Sequence, residues 1–263
     1  MTRRLLIAAL AVAACAQATA LRVLILTGSS DEPYHHWRET TASIRDLLAQ
    51  TGRFEVNVVD DPALVTPAVL WLYDAVVLNY NGPRFPAAAE AALEDFVRSG
   101  HGLIAVHQAS YGEFFGMEYR DRKWHAGAGP GWQEFSRMIG AHWEPEKIGH
   151  ARRSVFQVDW KDCDHPVAQG LTPSFTANDE LYHRLTLERT AHVLADAMSP
   201  PEIGGTGNRE PMIWTNNYGK GRVFFTTLGH DATAWAQPGM RTAVARGVEW
   251  AASGNVTIEA MEK

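Results

Sequence analysis

Three histidines follow apolar segments that are typical of buried strands, and their placement suggests a shared site. His107, His230 and His36 each come shortly after such a segment in the 263-residue sequence. Ligands bind outside the carboxyl ends of the strands in open α/β sheets, so we expect these imidazoles to converge at one edge. Neutral imidazole is a metal ligand and a base near pH 7. We choose His36 over His35 because adjacent side chains in an extended loop face opposite ways.

These residues predict a divalent metal site, with zinc as the candidate ion. No His-Glu-x-x-His or Cys-x-x-Cys motif is present, so the prediction depends on the convergence alone. The expected metal ligands are His36, His107 and His230.

A carboxylate and a phenol lie close together in the segment 178–183. Glu180 and Tyr182 face the same side if this segment is extended. A carboxylate can accept a proton from a substrate, and a phenol can donate a hydrogen bond. The alternative is a helix-capping aspartate followed by a solvated glutamate. The predicted catalytic group consists of His107, Glu180, Tyr182, His230 and Asp231.

Aromatic and histidine side chains near predicted loops are candidates for binding a sugar. Aromatic faces pack on the apolar C–H faces of sugar rings, although core packing is the ordinary use of tryptophan. The predicted substrate-binding residues are Trp37, Trp124, His125, His150 and Trp235.

The pattern of apolar segments predicts the fold that would position these residues. Strand and helix patterns alternate over about the first hundred residues after the leader, which is typical of a doubly wound α/β chain. We expect a mostly parallel sheet flanked by helices, flavodoxin-like in arrangement. An added antiparallel hairpin is predicted through residues 217–221.

Charge and glycine patterns exclude two classes of ligand. The net charge is −6 and the lysines and arginines are not clustered, which argues against nucleic acid as a partner. The glycine-rich motifs that bind dinucleotides or nucleotide phosphates are missing, so no nucleotide cofactor is expected.

The N-terminal residues 1–20 read as an export signal. Arg3 and Arg4 precede an apolar run that is too short to span a bilayer, and small residues follow it. Cleavage after Ala20 would leave one domain, residues 21–263, in the periplasm or outside the cell. The alternative is a lipoprotein signal with Cys15 acylated, which is the one route by which we expect membrane attachment.

Four motifs, spread over nearly all of residues 21–263, are similar to those of one known family. They are Gly102-Leu-Ile-Ala-Val-His107, His165-Pro-Val-Ala-Gln-Gly-Leu171, Asp179-Glu-Leu-Tyr182 and Tyr218-Gly-Lys-Gly-Arg-Val-Phe-Phe-Thr-Thr-Leu-Gly-His-Asp231. Together they resemble the ThuA-like (trehalose utilisation) family, whose fold is similar to that of class I glutamine amidotransferases. By position, His107 resembles the amidotransferase nucleophile and His230 its histidine. The nucleophilic cysteine is absent, which excludes glutaminase activity.

The resemblance implies carbohydrate catabolism, with sugars or glycosides oxidised at C3 as small-molecule substrates. A 3-keto group acidifies the C2 proton, so a base and a Lewis acid or hydrogen-bond donor at the ketone could drive loss of the aglycone. His107 and Glu180 are then base candidates, and Tyr182 could orient the ketone or the leaving group. We expect hydrolase or lyase chemistry at a histidine-rich site. The alternatives are a non-catalytic sugar-binding protein that keeps the fold, and a metal-dependent hydrolase of unrelated small substrates.

Overall fold

The computed structural model describes residues 19–30 and 34–261. Cys15 and all but the last two residues of the expected export signal lie outside these ranges, so export and lipidation stay predictions. None of the helices in the described part of the chain combines the length and the apolar character that a membrane crossing requires.

A nine-stranded sheet runs through the molecule, and two small two-stranded sheets lie beside it. In chain order the strands within the described residues are β1 (Leu21–Leu26), β2 (Phe54–Val59), β3 (Ala75–Leu78), β4 (Gly102–Val106), β5 (Met117–Arg120), β6 (Lys123–Ala126), β7 (Ala141–His142), β8 (Ser154–Trp160), β9 (Ser174–Asp179), β10 (Thr186–Leu187), β11 (His192–Met198), β12 (Arg209–Tyr218) and β13 (Gly221–Thr226). The α-helices are α1 (Trp37–Gln50), α2 (Pro67–Leu70), α3 (Ala87–Ser99), α4 (Gln133–Ile139), α5 (Ala232–Trp235) and α6 (Pro238–Ser253).

The large sheet has a parallel half and an antiparallel half. Its strand order is β2-β1-β3-β4-β13-β12-β11-β8-β9. The strands from β2 to β13 in this order are parallel, and every later pairing is antiparallel. β3 and β4 are buried along their whole length, which is typical of parallel strands covered on both faces.

Helices cover both faces of the sheet, and the side chains of β1 show how the two cores are divided. Val23 and Ile25 pack into the core beneath α1, α5 and α6. Leu24 and Leu26 point the other way, into the core beneath α2, α3 and α4. Alternate residues of a strand face opposite sides of the sheet, so one apolar run supplies both cores.

The prediction of an α/β chain with a large sheet flanked by helices is confirmed. The antiparallel part is larger than the single hairpin we expected, because β11, β8 and β9 extend the sheet beyond β12. β8 alternates buried and more exposed residues, as a strand on the outer part of a sheet does.

Candidate functional site

Four side chains meet at one edge of the large sheet. They follow β1, β4, β9 and β13, whose carboxyl ends all lie at that edge, because β9 runs in the same direction as β13 after four antiparallel steps. One ligand atom from each lies within 4.8 Å of the others. The four residues are His35, His107, Glu180 and His230, and we call them the donor cluster.

His107 occupies the centre of the donor cluster and its ring orientation is fixed. It is 1% exposed and adopts a φ of +40°, a left-handed backbone conformation that is unusual for a residue with a side chain. Its Nδ1 lies 2.6 Å from the carbonyl oxygen of Thr227. A carbonyl oxygen can only accept, so Nδ1 carries the proton and Nε2 presents a lone pair to the cluster. Burial lowers the pKa of His107 well below its usual value, and this keeps the ring neutral.

Three other groups converge on this Nε2 atom. The phenol oxygen of Tyr182 lies 2.8 Å away, Nε2 of His35 lies 3.0 Å away and Nδ1 of His230 lies 3.3 Å away. A single lone pair cannot serve three donors equally well. Ring nitrogens this close together can all bind one cation between them, whereas they cannot all hydrogen-bond to one another.

Glu180 adds a carboxylate between the imidazoles and a further histidine. Its Oε2 lies 3.3 Å from Nδ1 of His230 and 3.9 Å from Nε2 of His107. Its Oε1 lies 3.6 Å from Nε2 of His150. One oxygen thus belongs to the donor cluster while the other stays close to a ring outside it.

Asp179 connects the strand that carries Glu180 to the loop that carries His230. Its buried carboxylate accepts hydrogen bonds from the backbone N–H groups of Gly229 at 2.7 Å, Glu180 at 2.8 Å and His230 at 3.3 Å. Burial raises the pKa of Asp179 to about 7, although these N–H donors act in the opposite direction. Asp179 is therefore a positioning residue for two members of the cluster.

We expect Asp179→Asn to destabilise the protein by about 1–3 kcal/mol, because the amide NH₂ group would face a buried N–H donor. The measurement is urea unfolding at pH 6, below the pKa of about 7, where the wild-type carboxyl is mostly protonated and both side chains are neutral. Above this pKa the buried charge itself destabilises the wild type and would mask the lost hydrogen bond. Asp164→Asn is the matched control, since Asp164 is exposed. An unchanged free energy of unfolding in Asp179→Asn would contradict the positioning role.

An aromatic cavity of about 170 Å³ opens beside the donor cluster. Three histidines and one glutamate contribute its ionisable lining: His35, His150, Glu180 and His230. Most of the remaining lining is aromatic and consists of Tyr34, Tyr111, Trp124, Trp143 and Tyr182. Ligand sites for drug-sized molecules usually measure roughly 300–1,000 Å³, so this first cavity suits a single small ring.

His35, and not the predicted His36, is the member of this histidine pair that belongs to the donor cluster. Helix α1 begins at Trp37, and His36 is the exposed residue that precedes it. His35 is 4% exposed and its Nδ1 lies 3.1 Å from the phenol oxygen of Tyr111. The two adjacent side chains do face opposite ways, as expected, but the start of α1 turns His35 inward and His36 outward.

Asp231 and Trp235 have structural positions rather than the catalytic and substrate-binding ones we predicted. Asp231 caps α5 by accepting the N–H groups of Thr233 at 2.9 Å and Ala234 at 3.1 Å, and it pairs with Arg153. This guanidinium lowers the pKa of Asp231 to about 2. Trp235 is 2% exposed and belongs to the core beneath α5 and α6.

The other predicted sugar-binding residues divide between two cavities. Trp124 and His150 line the first cavity. Trp37 lines a neighbouring second cavity, in which Trp124 also takes part. His125 is not among the described residues that line either one, because strand alternation in β6 turns it away from Trp124.

Sequence reasoning brought His107, Glu180, Tyr182 and His230 to the site but missed two residues. One is His35, discussed above. The other is Tyr111, which lies in the turn four residues after His107 and lines the first cavity. The signal in the sequence is its place in the same polar turn as His107.

Comparisons with known proteins agree on one family and one fold. A protein-family model described as ThuA, trehalose utilisation, matches residues 22–251. A ThuA-like protein from Parabacteroides merdae ATCC 43184 is 26% identical, with a TM-score of 0.76 over 92% of this chain and 93% of that one. A ThuA-like protein from Bacteroides uniformis ATCC 8492 shares the fold at 18% identity, with a TM-score of 0.70 over 91% of this chain and 96% of that one.

A larger enzyme contains a similar fold as one part of its chain. A β-galactosidase from Rahnella sp. R3 is 19% identical, with a TM-score of 0.57, and the match covers 88% of this chain but 31% of that one. Among curated proteins, no sequence matches this chain.

Proposed function

Because the chain belongs to the ThuA family of trehalose utilisation, we propose that its donor cluster and aromatic cavity form the active site of an enzyme that cleaves glycosides oxidised at C3. The match to the family model confirms the resemblance found in the sequence, and the family indicates a role in carbohydrate metabolism. The observation that carries the proposal is the meeting of three imidazoles and a carboxylate, within 4.8 Å, beside an aromatic cavity. Aromatic walls suit the apolar faces of a sugar ring.

The donor cluster has the composition and spacing of a divalent metal site. Two nitrogen atoms bound tetrahedrally to one zinc ion, each about 2.0–2.1 Å from it, lie roughly 3.3–3.4 Å apart. Nε2 of His107 lies 3.0 Å from Nε2 of His35 and 3.3 Å from Nδ1 of His230, close to this separation. We propose that His35, His107 and His230 hold the ion. Bound there, a divalent ion such as zinc supplies a Lewis acid for the keto oxygen.

Glu180 is the proton acceptor in this proposal. It lines the first cavity, whereas His107 is 1% exposed behind the residues that do. The carboxylate takes the C2 proton, which the neighbouring ketone acidifies, and the C–H electron pair forms a C1–C2 double bond as the C1–O bond to the aglycone breaks. The base role therefore moves from His107, one of our two candidates, to Glu180.

Two further residues act on the substrate oxygens. His150 lies 3.6 Å from Oε1 of Glu180 and is half-exposed at the cavity, where its ring can donate a proton to the departing oxygen. Tyr182 lines the cavity with its phenol oxygen 2.8 Å from Nε2 of His107, so the phenol can donate a hydrogen bond to a substrate oxygen when that nitrogen holds the ion.

The direct test is to offer 3-keto-trehalose and a methyl 3-keto-glucoside to the purified protein, with and without a chelator. We expect turnover of both, loss of turnover with the chelator, and recovery when zinc is returned. Trehalose and the methyl glucoside are matched controls, because without the ketone their C2 protons are not acidic and they should be left intact. Turnover that survives complete removal of metal would exclude the metal site.

No turnover of any 3-keto-glycoside would end the enzyme proposal. Sugar binding without turnover would instead favour the alternative, a sugar-binding protein that keeps the fold.

A further inference from the structure

A second cavity of about 450 Å³ lies beside the first one. Its walls include Ser29, which follows β1, and Asn81, which follows β3. It therefore opens at the same edge of the sheet as the donor cluster, since β1 and β3 are parallel to β4. Trp124 lines both cavities, and its ring lies 5.2 Å from Tyr119 in the second and 5.6 Å from Tyr111 in the first. A ligand that passes Trp124 can occupy both.

Asn81 presents a polar group that the fold leaves unused. Its side chain is 5% exposed, and neither amide atom has a hydrogen-bond partner among the described residues. The backbone is held in place, because the N–H of Asn81 donates to the carbonyl of Ser29 at 3.1 Å. Buried amides are nearly always paired, so an unpaired one in a cavity wall points to a ligand that pairs with it.

Gly112 preserves the space around this amide. It has a φ of +96°, and a Cβ atom there would lie 2.2 Å from Oδ1 of Asn81. Any side chain at this position would push the amide away from its place in the cavity wall. The turn after β4 therefore carries His107 and also leaves room for the side chain of Asn81.

The other walls favour a neutral polyhydroxylated ring over an anion. Trp37 carries the guanidinium of Arg38 at 4.2 Å from its ring centroid, and Glu113 contributes a carboxylate to the same cavity. The cation and the carboxylate offset each other. Aromatic rings, an amide and serine hydroxyls together match the faces and hydroxyls of a sugar.

We propose that the second cavity binds the leaving group of the glycoside, so that the enzyme prefers disaccharides whose second unit is a sugar ring. This inference rests on the proposed function, because it assigns the first cavity to the ring that reacts. The volumes agree with it, since about 170 Å³ accommodates one ring and about 450 Å³ is available for the other. The aglycone lies against Trp124 and its hydroxyls bond to the amide of Asn81.

Calorimetric titration of the full chain with trehalose and with methyl α-glucoside tests the second cavity. Neither sugar has a 3-keto group, so binding is read without turnover. We expect the wild type to bind trehalose at least tenfold more tightly. In Asn81→Leu the two affinities should become equal within about twofold while the affinity for methyl α-glucoside is unchanged. Asn57→Leu, at an exposed position on β2, is the matched control and should keep the preference.

Trp37→Ala is the second variant, because Asn81→Leu could disturb a buried position, and it should also reduce the preference for trehalose. The second site would be overturned if the wild type bound trehalose and methyl α-glucoside equally well, or if both folded variants kept the preference for trehalose. Neither result would affect the assignment of the first cavity. If neither sugar binds the wild type, the second site is overturned, while the proposed function is decided separately by turnover of the 3-keto-glycosides.

Discussion

Replacing His107 by alanine is expected to lower kcat for a 3-keto-glucoside by about 10³-fold or more. A well-placed acid–base group contributes roughly 10²–10⁴-fold. The proposed base Glu180 lies 3.9 Å from Nε2 of His107, which is the centre of the donor cluster and a ligand of the proposed ion. This Nε2 is the atom on which Tyr182, His35 and His230 converge, at 2.8, 3.0 and 3.3 Å. Without the imidazole these three groups lose their common partner.

The measurement is initial rate against substrate concentration, after circular dichroism has shown that the variant is folded. His142→Ala is the control, because the His142 side chain is 38% exposed and lies outside the donor cluster, and it should keep the wild-type rate. Sugar binding should survive in His107→Ala, since His107 lies behind the residues that line the first cavity. A kcat within twofold of the wild type would mean that the donor cluster has no part in the reaction.

The second large effect separates two adjacent histidines. We expect His35→Ala to weaken zinc binding by at least about 100-fold, because loss of an outer hydrogen-bond partner alone costs roughly 10–100-fold. His36→Ala should bind zinc like the wild type, because His36 is exposed at the start of α1 while His35 is buried in the donor cluster. Few controls match so closely, since both variants make the same substitution in the same loop.

Zinc content after dialysis and competition with a chromogenic chelator would give the stoichiometry and the affinity. The expected stoichiometry is one zinc per chain for the wild type and for His36→Ala, and close to none for His35→Ala. Equal affinities in the two variants, or a loss confined to His36→Ala, would contradict the assignment of the metal ligands.

The sequence predicted the edge of the sheet where the site lies, because strand order is not needed for that inference. His107 and His230 follow strands that any parallel arrangement would align, and they lie 3.3 Å apart across the ring nitrogens. The sequence predicted Glu180 as a site residue, but it did not predict strand β9, which ends directly before Glu180. β9 has the sequence Ser-Phe-Thr-Ala-Asn-Asp, which is short and mostly polar, and its pairing with β8 is what makes it a strand.

Other details depended on choices that periodicity cannot make. His35 and His36 differ by one position, and only the first turn of α1 decides which one faces inward. Trp235 was expected in or beside a loop, but the short helix α5 turns its ring into the core. Asp231 was expected in the catalytic group beside His230, whereas the structure uses it to cap the start of α5.

The donor cluster draws its members from segments near both ends of the described domain, and this has a consequence for folding. Only a chain whose nine-stranded sheet is fully assembled can present all four ligand atoms together. An ion at this site would bind the native state alone and would add about 2.7 kcal/mol of stability at 100 times its Kd. Supply of the ion would then govern how long the protein persists as well as whether it reacts, and bound metal would report that the last strand has docked.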